Sequence, residues 1–378
     1  MLKQYKLRNY HFLLILYMMI LTIIGIVVIG SAEEAVQSKQ IMGFAIGIVC
    51  MVILSLMDYS VILKLEWFYY AISLLLLLWV EIAGVNSGGS QRWIKIGFQF
   101  QPSEIVKIFL ILFLAYFFAK HQENLNRMKT LLFSIVLVGV PSFLILKQPD
   151  LSTTIVTIMI FVMMLFIAGL SYRYILSFLA VVIPAAIFTI SYVLTSAAKA
   201  TSIEDVDYHL IRILAWLYPD NPLWAGNAAQ QKNSIMAIGS GQLWGKGIDN
   251  ADATSLLNGN WISEAQTDFI FAVVGEEMGF VGSILIVVLL LLIVIECVLI
   301  ARKAKDLAGR LICCGMATLV GIQSFVNIGV ATGLLPNTGI PLPFVSYGLT
   351  SLVSLYIGMG FVLNVGLQPK SSFKGDIE

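Results

Sequence analysis

Residues 12–31 read FLLILYMMILTIIGIVVIGS, with no charged side chain between Phe12 and Ile29. A cleavable leader carries an apolar segment of only ~7–15 residues. A bilayer core of about 30 Å takes ~20 helical residues at 1.5 Å each, so this stretch reads as a retained membrane anchor. About ten apolar runs of this kind follow one another, near 12–31, 41–57, 66–84, 102–119, 130–147, 151–170, 172–194, 268–300, 308–334 and 345–367. The expected fold is an all-α polytopic membrane protein, one domain over 1–378, with a long extracytoplasmic loop over 195–267.

Composition agrees. Of 378 residues 59% are hydrophobic and 12% charged, with mean hydropathy +0.90, against roughly 25% charged in soluble domains. A soluble fold is excluded. The net charge of +1 supplies no overall basic field, so nucleic acid is not an expected partner. Cys50, Cys297, Cys313 and Cys314 lie in apolar stretches without CxxC spacing and read as packing residues.

Lys and Arg favour short cytoplasmic loops. With the N-terminus inside, Lys3, Lys6, Arg8, Lys64, Lys120, Arg127, Lys129, Arg173, Arg302, Lys303, Lys305, Arg310, Lys370 and Lys374 fall inside, while the short outside loops hold only Lys39, Arg92, Lys95 and Lys147. Both termini are then cytoplasmic. Three informative segments face outward, near 84–101, 195–267 and 333–348. No nucleotide-binding fingerprint occurs, so any chemistry must draw on an energised substrate or the membrane potential.

Polar residues at membrane depth are functional candidates by default. Glu104 and Lys107, at i,i+3 after Pro102, share a helix face and serve either as an ion pair fixing register or as a cavity wall. The stretch with Arg92, Trp93 and Lys95 suits an anionic headgroup, or equally an interfacial belt with snorkelling cations. Tyr208 to Leu217 has helical periodicity with interfacial aromatics and reads as a helix lying on the membrane. Glycines around Lys246 read as ordinary turns that expose one cation. Ser263 with Gln266 resembles a capping box opening a helix near Asp268, whose carboxylate would be held as the anion by the helix dipole, with Glu264 beside it. That Asp is either an N-cap or a base at the outer boundary. Glu276 and Glu277 lie deeper, and a straight helix cannot turn all of these carboxylates into one groove. Gly333 to Phe344 holds three prolines and reads as a re-entrant wall.

Several motifs then converge: Arg92-Trp93-Ile94 with Phe98-Gln99-Phe100-Gln101-Pro102-Ser103-Glu104, Lys147-Gln148-Pro149-Asp150-Leu151, Thr267-Asp268-Phe269-Ile270-Phe271-Ala272 followed by Gly275-Glu276-Glu277, and Pro343-Phe344-Val345-Ser346-Tyr347-Gly348. In these, in order and over nearly its whole length, the chain resembles the SEDS family of bacterial membrane proteins, which includes RodA, FtsW and SpoVE. The resemblance implies a peptidoglycan glycosyltransferase that polymerises lipid II on the outer face of the cytoplasmic membrane. It implies as partners lipid II, the undecaprenyl-pyrophosphate-linked glycan, a class B penicillin-binding protein as transpeptidase, and other cell-wall elongation proteins. The family's catalytic Asp falls on Asp268 and its loop Trp on Trp93. Arg212, Gln230, Glu104 and Lys107 fall on characteristic polar positions. Gln266 stands where His is usual, Ser263 where Pro is common and Leu349 where Gly often follows. The short N-terminal tail, Lys147–Asp150 and Gly339–Pro343 lean toward RodA, the elongation enzyme that maintains rod shape.

The expected mechanism has Asp268 as general base on the acceptor 4-hydroxyl. Arg92, Lys95, Arg212 and Lys246 neutralise pyrophosphates, with a divalent cation, Mg²⁺ or Mn²⁺, and no organic cofactor. The rivals are a lipid II flippase, which shares many spans and a broken segment, and an inactive scaffold. An alternating-access carrier should hold its polar groups at the midplane, whereas here most cluster at the outer boundary.

Overall fold

The computed structural model describes residues 10–87, 90–96, 98–197, 208–249 and 254–368. The N-terminal cations Lys3, Lys6 and Arg8, and Lys370 and Lys374, on which part of the orientation rests, lie outside these. In chain order the elements are α1 Phe12–Ala32, α2 Glu34–Leu56, α3 Tyr59–Ile62, α4 Glu66–Ala83, β1 Val85–Ser87, β2 Ser90–Ile96, β3 Phe98–Phe100, α5 Pro102–Lys120, α6 Met128–Lys147, α7 Leu151–Ala168, α8 Tyr172–Ala197, α9 Tyr208–Leu217, α10 Ala225–Ser240, α11 Ile270–Lys303, α12 Leu307–Ala331 and α13 Leu349–Leu367. Among the described residues, nine helices are long and apolar enough to cross a membrane, the third running Tyr59–Ala83. Beyond those nine, the 26-residue α8 covers the expected seventh run.

Local chemistry sets the boundaries. Pro102 opens α5, where its missing N–H costs nothing. Asp150 caps α7 by accepting from Thr153 N at 3.0 Å, and Asp306 caps α12 by accepting from Gly309 N at 2.7 Å. Gly169, at φ 100, ends α7 in the left-handed conformation. Helices α5 and α13 are the most enclosed, and α13 packs along α2 while α12 lies against α11, α7 and α5.

Four expectations need correction. The segment expected as the first outward loop is an antiparallel three-stranded sheet, β1-β2-β3, with Trp93 opposite Val85 and Lys95 opposite Gln99. Helix α9 does not simply lie on a lipid surface: Ile211, Leu214 and Ala215 are buried against Trp224 and Ala228 of the α10 region. The capping box does not form. Helix α11 starts at Ile270 behind Phe269, which offers no side-chain cap, and residues 263–269 are turns stitched by Thr267 N and Phe269 N to Glu264 O at 3.1 and 3.3 Å. Finally, α11 is broken at Gly279, where φ is 64 and ψ −159.

That break is lined by the loop after α10, whose glycines are not ordinary turns. Lys246 N and Gly247 N donate to Glu276 O and Glu277 O at 2.9 and 3.0 Å, and Phe280 N and Val281 N donate to Gln242 O and Leu243 O at 2.9 and 3.2 Å. Groups freed by the break are thereby satisfied by protein, as non-helical backbone in a membrane protein requires. The approach is backbone on backbone. A Cβ on Gly245, at φ 80, would sit 2.0 Å from Glu277 O, whereas one on Gly247, at φ 95, meets nothing within 4 Å. Gly247→Ala should therefore cost only its backbone strain, about 1 kcal/mol, while Gly245→Ala separates the loop from α11 and costs several times more, read as thermal midpoints of the purified variants in detergent.

Candidate functional site

Where β2, α9, α10, the turn before α11 and the broken segment before α13 meet, they enclose a cavity of about 940 Å³. Its lining includes Arg92, Trp93, Lys95, Glu104, Arg212, Gln230, Glu264 and Asp268. Residues drawn from five separate stretches of sequence thus share one polar chamber. The other two expected site residues lie elsewhere. Lys107 sits behind the wall, its Nζ 2.8 Å from Glu104 Oε1 with both side chains buried, so the pair fixes register and Glu104 also lines the chamber. Lys246 is outside the lining: its Nζ donates to Glu276 Oε1 at 2.8 Å and to Thr254 O at 3.0 Å. Glu276 is completed by Leu256 N and Leu257 N at 2.8 and 3.2 Å, while Glu277 accepts at Oε1 from Ser31 Oγ and from Asp249 N at 3.3 Å, its buried Oε2 having no partner among the described residues. These two glutamates lock the loop onto α11 and leave the chamber.

Asp268 is half-buried at the chamber wall, two residues ahead of α11. Burial first, and then the Glu264 carboxylate, push its pKa up to about 6, while the guanidiniums of Arg212 and Arg92 pull it down less strongly. The helix dipole was expected to lower this pKa. Desolvation wins instead, and the helix begins two residues beyond Asp268.

The cations differ in freedom. Arg92 donates from Nη2 to Pro149 O at 2.5 Å and lies 3.8 Å from Asp150, so its position is fixed by the α7 cap. Arg212 donates to Asn337 O at 3.4 Å. Gly339, at φ 73, completes the wall: a Cβ there would stand 3.2 Å from Asp268 Oδ2 and 3.9 Å from Arg212 Nη1. Lys95 and Lys39 are exposed at the lining. Gln230 accepts from Asn337 Nδ2 at 3.1 Å, and Gln231 donates to Val330 O and Leu335 O, both at 2.7 Å, so α10 is fastened to the broken segment.

The sequence reading missed several participants. Asp150 stood in a quoted motif, yet its tie to Arg92 joins residues distant in sequence. Lys39 was counted only for orientation. Ser346 stood in a quoted motif without a role, although its Oγ donates to Thr267 O at 2.6 Å, and Asn327 carries no charge and lies in no quoted motif. Among the described residues no three His, Cys, Asp or Glu side chains come together as a metal-binding group.

Chemically, the chamber offers a carboxyl titrating near neutrality, fixed and exposed cations, and room for a large polar ligand. The sequence profile of the FtsW, RodA and SpoVE family, described as cell cycle protein, matches residues 8–371. A probable peptidoglycan glycosyltransferase FtsW from Geobacter metallireducens is 35% identical over 97% of both chains. The peptidoglycan glycosyltransferase MrdB of Escherichia coli K12 is 34% identical over 93% of this chain and 92% of its own. Among solved structures, rod shape determining protein RodA of Thermus thermophilus superposes with TM-score 0.67 at 27% identity, covering 94% of this chain and 96% of that one. A peptidoglycan synthase complex that coordinates polymerization and crosslinking does so with TM-score 0.74 at 27% identity, covering 94% and 97%.

The geometry separates Lys246 from the chamber's cations. Lys246→Met strands the buried Glu276 carboxylate and should cost about 3–5 kcal/mol of stability, whereas Lys95→Met should leave the thermal midpoint where it was.

Proposed function

The chain belongs to the FtsW/RodA/SpoVE family, and from that premise we propose that the chamber around Asp268 is the active site of a peptidoglycan glycosyltransferase that polymerises lipid II. The observation that carries this reading is a carboxyl with pKa about 6 in a chamber of about 940 Å³, between Arg92 and Arg212.

A base is most effective when its pKa lies near the working pH, because it is then mostly ionised and still basic. The Asp268 carboxylate takes the proton of the acceptor sugar's 4-hydroxyl as that oxygen bonds to the donor's anomeric carbon. The anomeric C–O bond breaks, and its electron pair leaves with undecaprenyl pyrophosphate. One displacement inverts the anomeric carbon and needs no covalent enzyme intermediate. Arg212 and Lys95 face the negative charge that develops on the leaving group, and Arg92 adds a cation anchored through the α7 cap. A divalent cation, Mg²⁺ or Mn²⁺, belongs in this reading to the substrate's pyrophosphates. Among the described residues no three His, Cys, Asp or Glu side chains come together to hold it, so the pyrophosphate oxygens would supply its ligands.

The same reading puts the protein in the cytoplasmic membrane with the chamber facing outward, beside a class B penicillin-binding protein that cross-links the product, and with other elongation proteins. The relatives named FtsW and MrdB stand at 35% and 34% identity, so identity does not separate division from elongation. The elongation role rests on the likeness of Lys147–Asp150 and Gly339–Pro343. Restoration of rod shape in a host depleted of its own RodA supports it, and round cells refute it.

With purified protein, the transpeptidase partner, lipid II and a divalent cation, wild type should give a glycan ladder on a gel. Asp268→Asn, which removes no packing, should lower the rate by ~10²–10⁴-fold. A full ladder from that variant sinks the assignment. No ladder from wild type, together with lipid II crossing liposome membranes, establishes the transporter reading instead. The wild-type rate should fall about tenfold per pH unit below about 6, since protonated Asp268 cannot act as base.

A further inference from the structure

Asn327, one turn before the end of α12, is buried to 1% exposure and touches two irregular segments at once. Its Nδ2 donates to Asp268 O at 2.8 Å and to Ile340 O at 2.7 Å. Both hydrogens of the amide are used, one on each carbonyl, and the amide cannot flip because two acceptors face the nitrogen. Oδ1 is left buried with no partner. An unpaired buried acceptor is a burden that a residue serving only to fill space does not carry, since leucine has nearly the same shape without it.

The two carbonyls are chosen by position. One belongs to Asp268 itself. The other belongs to the residue after Gly339, whose α-carbon forms the wall against Asp268 Oδ2. The neighbouring carbonyls of the same turn are held independently, Gln266 O by Tyr347 N at 2.8 Å and Thr267 O by Ser346 Oγ at 2.6 Å. Loss of the Asn327 amide therefore frees the Asp268 end of a turn that stays anchored at its other end.

We infer that Asn327 is the positioning residue for Asp268, its one amide nitrogen setting the gap between the aspartate and the Gly339 wall. This rests on the reading of Asp268 as base for its effect on rate, but not for its effect on the carboxyl's surroundings. Asp268 faces Glu264 on its own turn, Arg212 from α9, Arg92 from β2 and Asp150 at the α7 cap. Asn327 carries no charge itself, so replacing it alters the enclosure of Asp268 without removing any of these charges.

The test is Asn327→Leu in the full-length protein, with folding checked by gel filtration and thermal melting. Asp268 is titrated by its infrared carboxyl band, identified as the signal that Asp268→Asn removes. As water enters the loosened gap, the midpoint should drop from about 6 by about one pH unit, a tenfold change in proton affinity. In polymerisation, kcat should fall about ten- to hundredfold with KM for lipid II changed less than about threefold, and the acid limb of the rate should move down with the midpoint. An unmoved midpoint overturns the inference whatever the rate does, and so does an unchanged kcat in a polymerising enzyme. A lowered midpoint in a protein whose wild type makes no polymer upholds the positioning role while the catalytic reading fails. If Asn327→Leu does not fold, Asn327→Ser, which retains one donor, is read in the same way. Failure of both to fold overturns the inference in favour of a folding role.

Discussion

A backbone that leaves the helix at membrane depth must find its hydrogen-bond partners inside the protein, and the whole arrangement around Asp268 follows from that constraint. Two irregular segments, 263–269 and 333–348, solve it together. The prolines of the second segment, Pro336, Pro341 and Pro343, remove donors from it. Ser346 compensates by accepting from Leu342 N at 2.7 Å while donating to Thr267 O, and Gln40 closes the far end by bonding Ser346 O and Gly348 N, both at 3.1 Å. The break at Gly279 is satisfied in the same manner by the loop after α10. Each departure from helix is thus also a place where separate stretches of chain are forced together, and the largest such junction is the chamber.

The same constraint sorts the carboxylates. Glu104 and Glu276 are buried, and each has a lysine at 2.8 Å. A buried carboxylate so paired ties together the elements that supply the two charges. Asp268 has no ion pair within 4 Å among the described residues, only guanidiniums acting from further off. Its charge is compensated enough to persist near neutrality and not enough to be locked. That difference in pairing, rather than depth, distinguishes Asp268 from Glu104 and Glu276.

Much of this was legible beforehand because it depends on local pattern. Apolar runs gave the spans, Pro102 gave a helix start, and the three prolines after Gly333 excluded a helix there. The small sheet was not legible, because its strands are only three to seven residues long and alternate weakly. Lys246 was misplaced since glycines and a cation look alike whether they face a ligand or a buried glutamate thirty positions away. The α11 start was misread because Ser263 and Gln266 have capping spacing, while the turn around Glu264, at φ 53, takes the chain out of helical register. The lysine was lost to a pairing between distant segments, which spacing does not encode, while the sheet and the helix start turned on local backbone conformation.

The three departures from the family pattern bear on the same point. Gln266 enters the junction through its carbonyl, held by Tyr347 N. Ser263 is exposed and has no part in a cap. Leu349 begins α13, with its α-carbon 3.5 Å from where a Cβ on Gly43 would stand, an ordinary contact. At the first of these positions the junction uses main-chain atoms that any residue supplies, and at the other two it asks nothing specific of the side chain. Side-chain identity is required where the junction has no main chain to offer, at Asn327, Ser346 and Gln40, whose polar groups reach across from neighbouring elements.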